Sequence, residues 1–295
     1  MSDFVLSCCS TADLSKEYFE TRKINVIFFH YEVDGVSMLD DCGESLSPEE
    51  LFRRMDAGAQ THTSQVSVGE YVESWKKILD EGKDILHVTL SSGISGSCQS
   101  AMIAKADLEK EYPDRKLYVV DSLGASSGYG LLIDAIADLR DEGKSIDEIY
   151  EWTEKNKLTV HHWFYSTDLT YYIRGGRVSK GAGLVGQMLN ICPLLNVDNL
   201  GRLTPREKVR GKKKVMIRTL EKMKQCAKNG TDYDGKCFIS NSLCMEDATQ
   251  LAEMIEKEFP KLNGKVQIYP IGATIGCHTG PGTIALFFFG QERVD

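Results

Sequence analysis

No apolar run in this 295-residue chain approaches the roughly 20 residues that a bilayer-spanning helix needs, so no integral membrane segment is expected. The first residues, Met1-Ser2-Asp3-Phe4, lack the basic region and apolar stretch of a secretory signal. The nine cysteines are scattered, odd in number and without a CxxC pair, which argues against a disulfide framework or a zinc ribbon, and no metal site is expected. Cys8 and Cys9 read as small buried residues, and the compartment expected is a reducing cytoplasm. Nucleotide-binding signatures are missing as well. There is no GxxxxGK[ST] and no GxGxxG, and the glycines at 124, 128 and 130 have the wrong spacing. Gly93-Ile94-Ser95-Gly96-Ser97 misses the spacing of a GxSxG nucleophile elbow. Neither an internal repeat nor a low-complexity segment is present.

Hydrophobic residues make up 42% and charged residues 26%, an ordinary globular balance, and the length favours two domains. A net charge of −8 disfavours nucleic acid as a partner. One segment opposes that average: residues 202–214 hold seven basic side chains against the single acid Glu207. Such a run suits a phosphate or an acidic partner, or else it is a solvated helix face.

The stretch LSSGISGSCQSA, residues 90–101, follows an apolar strand pattern and precedes a helical one. Its glycines and serines allow close backbone approach, and a helix N-terminus attracts negative charge. It reads either as an anion-holding loop or as a strand-to-helix turn capped by Ser95 or Ser97. Residues 24–33 and 116–122 read as further strands and 61–66 as a polar linker. Ser47, Ser67 and Ser145, each with glutamate three residues on, signal capped helices. This alternation predicts a mostly parallel sheet with flanking helices up to about residue 156, its loops 9–13, 91–97 and 121–128 gathered at a ligand crevice. Beyond it, strands at 159–166, 191–197, 237–240, 265–271 and 284–289 predict a mixed α/β domain. Helices are expected up to Leu189 and over 209–228 and 246–259. The division expected is 1–156 and 157–295.

His278 lies in a glycine-rich connection, residues 275–282, that reads as a tight turn bringing an imidazole to a site or as a polar turn residue. His161 and His162 are neighbours on a strand and point to opposite faces, so they do not chelate one ion.

Six stretches taken together resemble the DegV family of bacterial fatty-acid-binding proteins. They are Ser10-Thr11-Ala12-Asp13-Leu14, Thr63-Ser64-Gln65, Ser92-Gly93-Ile94-Ser95-Gly96, Gly176-Arg177-Val178-Ser179-Lys180, Val209-Arg210-Gly211-Lys212-Lys213 and His278-Thr279-Gly280-Pro281-Gly282. The resemblance implies a two-domain α/β protein with one long-chain fatty acid in a buried tunnel at the interface. It implies no cofactor and no activity of the chain's own, because a separate fatty acid kinase makes the acyl phosphate. By the same resemblance Thr63, Ser95 and Gly96 of the loop, and His278 surround the carboxylate. Arg210 is associated with phosphotransfer and kinase engagement. The chain departs from the family at Cys9, where an aspartate is usual, at Val66 and Val68, which replace prolines, and at Cys192, where a lysine is common. The competing reading is a serine-dependent hydrolase or acyltransferase using Ser95 and His278, for which no orienting acid is identifiable.

Overall fold

The computed structural model describes residues 4–179 and 190–294, so the helix expected up to Leu189 lies outside the described residues. Strands β1 (Phe4–Cys9), β2 (Asn25–Ile27), β6 (Asp84–Thr89) and β7 (Leu117–Asp121) form a parallel sheet in the order β2-β1-β6-β7. Strands β3 (His30–Val33), β4 (Val36–Leu39) and β5 (Thr61–Ser64) form a small antiparallel sheet with β3 in the middle. The third sheet is mixed: β8 (Val160–Ser166), β9 (Ile191–Val197), β10 (Leu203–Arg210), β11 (Cys237–Asn241), β12 (Gln267–Pro270) and β13 (Thr283–Phe289). Its order is β10-β9-β8-β13-β11-β12, with only β11 and β12 parallel. The helices are α1 (Lys16–Thr21), α2 (Pro48–Asp56), α3 (Val68–Asp80), α4 (Ser97–Glu111), α5 (Ser126–Asp141), α6 (Ile146–Asn156), α7 (Thr170–Arg174), α8 (Lys212–Cys226), α9 (Met245–Glu258) and α10 (Ala273–Thr279).

Strand β6 shows why the parallel sheet needs helices on both faces. Ile85 joins Trp75, Leu79, Ala104 and Leu108 of α3 and α4, while Leu86 and Val88 join Leu132, Ile136 and Ile149 of α5 and α6. Helix α5 has a second duty. It also packs on β8, β11 and β13, so one core runs from Leu6 and Val88 through Leu132 to Phe164, Phe238 and Phe287. The two larger sheets thus share a layer of side chains.

Local signals set the helix starts. Ser67 with Glu70 and Ser145 with Glu148 form complete capping boxes. At α2 only half the box forms: Ser47 accepts the Glu50 N–H, but the Glu50 carboxylate turns to Arg53 and Arg54. Helix α4 has Gly96 as its N-cap, in place of Ser95 or Ser97.

Four expectations differ from the structure. Residues 24–33 are two strands in different sheets, because the chain leaves the parallel sheet at Ile27 and enters the small one at His30. Residues 61–64 are strand β5, paired to β3 through backbone bonds that need no apolar side chain. The basic stretch is a strand as far as Arg210. Gly211, at φ +90°, ends it, and helix α8 begins only at Lys212. Finally, residues 273–279 form helix α10 where a tight turn was expected.

Candidate functional site

A cavity of about 960 Å³, its mouth included, lies where the three sheets meet. Most of its wall is apolar, from Phe29, Leu90, Ile94, Phe164, Val197 and Phe287 among others. Thr63, Gln65, Ser95, Gly96, Arg177 and His278 add a polar group of lining residues. Loops 91–97 and 121–128 reach the cavity through Ile94, Ser95, Gly96, Ala125 and Ser126. Loop 9–13 stays behind it, with Asp13 accepting a hydrogen bond from Ser126.

Each polar residue has a distinct support. Thr63 sits on β5 opposite Tyr31, and the two-residue alternation turns Thr61 and Thr63 inward while His62 and Ser64 stay exposed. His278 lies near the end of α10, whose N-cap is Gly272 and has no side chain to offer. Asp40, distant in sequence, supplies the cap: its carboxylate accepts the N–H groups of Ala273 (3.2 Å) and Thr274 (3.1 Å). Gly96 lies against the Gln65 side-chain amide, which a Cβ there would have to push aside, and Gln65 donates to Ser100 Oγ on α4 at 2.9 Å.

His278 Nε2 lies 2.7 Å from Thr63 Oγ1, and its Nδ1 lies 3.5 Å from a guanidinium nitrogen of Arg177. Arg177 also donates to the carbonyls of Ile94 (3.2 Å) and Gly175 (2.6 Å). Burial, reinforced by the Arg177 charge, lowers the His278 pKa to about 4, so the ring is neutral at pH 7. A guanidinium can only donate, so Nδ1 is the acceptor and the ring proton sits on Nε2. That proton goes to Thr63 Oγ1, which leaves the threonine hydroxyl hydrogen to be given elsewhere. Ser95 is in the same state: its Oγ accepts the Ser97 N–H at 3.2 Å. Two hydroxyls, each already accepting from the protein, are therefore primed to donate to an acceptor in the cavity.

This arrangement does not support a hydrolase. In a serine–histidine pair the far nitrogen of the base donates to an orienting acceptor, whereas that of His278 faces the Arg177 guanidinium, which can only donate. Its near nitrogen engages Thr63, while the Ser95 hydroxyl bonds to a backbone amide. His161 and His162 are likewise occupied, on Gln291 O and on Val160 O with the Ala125 N–H. Among the described residues no cluster of three metal-ligating side chains occurs, and no helix is long and apolar enough to cross a membrane. All nine cysteines are free.

Thr63, Ser95, Gly96 and His278 thus line one cavity. Arg210 does not: it is exposed at the end of edge strand β10. Arg177 and Asp40 support the site without having been among the expected site residues. Arg177 had a visible signal in Arg174-Gly175-Gly176-Arg177, and Gly175 proves necessary because a Cβ there would stand 2.3 Å from His278 Nδ1. Asp40 carried no signal, since it caps a helix more than 230 residues away in sequence.

The DegV family profile matches residues 9–291. A DegV domain-containing protein of Clostridium perfringens is 36% identical over 293 residues, which is 99% of each chain. Among solved structures, a DegV lipid binding protein from Thermotoga maritima superposes with a TM-score of 0.84 at 27% identity, over 99% of this chain and 100% of that one. A fatty acid binding DegV family protein from Thermus thermophilus gives a TM-score of 0.87 at 25% identity, over 98% and 99% of the two chains. Those structures share the two-domain α/β architecture described above. With the profile and a relative of this identity both spanning nearly the whole sequence, the chain belongs to the DegV family.

Proposed function

We propose that the protein is a cytoplasmic carrier that holds one long-chain fatty acid in this cavity and presents the carboxylate to a separate fatty acid kinase. The units 1–156 and 157–295 close on the ligand from two sides. Thr63 and Ser95 donate to the carboxylate, Gly96 gives it room, and His278 orients Thr63. The observation that carries the reading is the pair of primed hydroxyls beside a largely apolar cavity. Fatty acid binding by the Thermus thermophilus relative supports it. Burying each methylene contributes about 0.8 kcal/mol, so the tail dominates affinity while the hydroxyls fix which end points outward. The chain contributes no cofactor and no catalytic group of its own. Arg210, exposed and with no hydrogen-bond or ion-pair partner through its side chain among the described residues, meets the kinase and the charge of the phosphoryl group in this reading.

Native mass spectrometry of the purified protein, followed by extraction of what it releases, tests the binding step. One fatty acid per chain is expected, and a protein that arrives empty and takes up none from solution excludes the reading. Arg210→Ala should leave fatty acid affinity intact and reduce acyl phosphate formation with a kinase and ATP. Loss of binding in that variant would move Arg210 to the carboxylate site.

A further inference from the structure

A second groove, of about 1050 Å³, opens on the outer surface between the starts of α2 and α9. Phe52, Pro48 and Pro270 contribute to its apolar lining, and Leu243 and Met245 stand at its edge, 49% and 53% exposed. Leu243 is held at φ +56°, the left-handed region that a bulky apolar residue rarely enters. Such a conformation persists only where the surroundings over-determine it. Here they do. The Ser242 N–H donates to Thr283 O (3.0 Å) and the Gly282 N–H to Ser242 O (2.8 Å). The Ser242 hydroxyl donates to Gly280 O (2.7 Å) and accepts the Thr283 N–H (2.9 Å). The loop that presents Leu243 is therefore stitched to residues 280–283, which directly follow α10. On the opposite wall Phe52 packs against Gly276 of α10 so closely that a Cβ there would stand 2.7 Å from its ring. Both walls bear on the helix that carries His278.

The rim is mostly acidic. Asp247 is paired with Lys212. Glu49 and Glu246 have no hydrogen-bond or ion-pair partner through their side chains among the described residues. Each sits in the first turn of its helix, where a carboxylate is favourable, and the two helix starts border the groove.

We infer that this groove docks a segment of the phosphoryl-donating partner, one that sets an apolar side chain against Leu243 and Met245 and a lysine or arginine toward Glu49 and Glu246. The inference rests on the kinase-presenting reading above. It adds a mechanical reason for the strained loop: a partner seated on it is held in fixed register with Thr63 and His278. Lys212 lines the groove and follows Arg210 by two residues.

The test uses palmitate-loaded protein, a fatty acid kinase and ATP. In Leu243→Asn with Met245→Glu, the asparagine accepts the left-handed backbone, so the fold is kept while the apolar edge is lost. Glu49→Lys with Glu246→Lys reverses the rim charge. Each pair should raise the KM for the loaded protein about tenfold, with kcat and palmitate affinity at their starting values. Wild-type KM in both pairs overturns this inference and leaves the carrier reading standing. Failure of any fatty acid kinase to phosphorylate the wild-type loaded protein removes that reading and this one with it. Concentration-dependent self-association that the Leu243 and Met245 changes abolish assigns the groove to a second copy of the chain and overturns the inference.

Discussion

Two histidines in this protein, the buried His87 and the half-buried His278, are built from nearly the same parts. Each is kept neutral by burial, with a pKa lowered to about 3 and about 4 respectively, and each meets a hydroxyl. His87 Nδ1 lies 2.9 Å from Ser7 Oγ, its Nε2 faces the Cys9 thiol at 3.7 Å, and its ring stands edge-on to Tyr71 and Trp75. The difference lies in what the hydroxyl has left. Ser7 also accepts from Asn25 Nδ2 at 3.1 Å and is fully buried, so whichever way its bond to His87 runs the hydroxyl is sealed inside the core. Thr63 accepts from His278, turns toward the cavity, and keeps its hydrogen. A histidine beside a hydroxyl is therefore no mark of a site. The mark is a donor with nothing inside the protein to give to.

The strongest way to break that comparison is His87→Ala. The substitution removes a ring from a sealed aromatic cluster and leaves Ser7 and Cys9 short of a partner, so denaturant unfolding should show a loss of about 3 kcal/mol. Fatty acid affinity of the folded fraction should stay within about twofold. A large loss of affinity at full stability would mean that His87, too, serves the cavity. His278→Ala should do the reverse. We predict about tenfold weaker binding of a fatty acid, near 1.4 kcal/mol, and little change for the fatty alcohol of equal length, which carries no anion to hold. Calorimetric titration of both ligands decides it, and equal losses for the two would show that His278 merely shapes the wall.

The smallest effect concerns pH. His87, His161 and His278 have folded pKa values lowered to about 3, 4 and 4, against about 6.5 in the unfolded chain. Below pH 6.5 the unfolded chain gains protons that the folded chain refuses, so stability is full above that value and falls toward pH 4. Asp13 and Asp40 act in opposition, because burial raises their carboxyl pKa values and their contribution grows as pH falls. The histidines outnumber them, and the melting temperature should drop between pH 6.5 and 4.5. Replacing His87 or His278 with glutamine should each flatten that drop. An unchanged slope in both would place the acid sensitivity elsewhere.

Much of this was legible in the residues. The parallel sheet follows from apolar runs alternating with capped helices, and three serine–glutamate spacings mark real helix starts. The loop of small residues at 91–97 and the lone histidine at 278 do reach one cavity. What stayed hidden was relational. Residues 24–33 form one apolar run in sequence, yet Ile27 and Phe29 face the Trp75 cluster while Tyr31 and Val33 face that of Phe52. Thr61-His62-Thr63-Ser64 is polar and strand-forming at once, because its pairing is all backbone. Helix α10 is capped from Asp40, and Arg177 acquires meaning only when His278 is seen beside it. Sequence periodicity reports which face is inward. It is silent about which neighbour waits there.

The split at residues 28 and 29 acts as a spacer gauge. Three Cα steps join Ile27 to His30 and span at most about 11 Å, so the tether limits how far β2 in one sheet and β3 in another can separate. Phe29 stands at that joint and in the cavity wall. Spreading of the two sheets is limited at this point, so the size of the side chain at 29 sets the bore beside it.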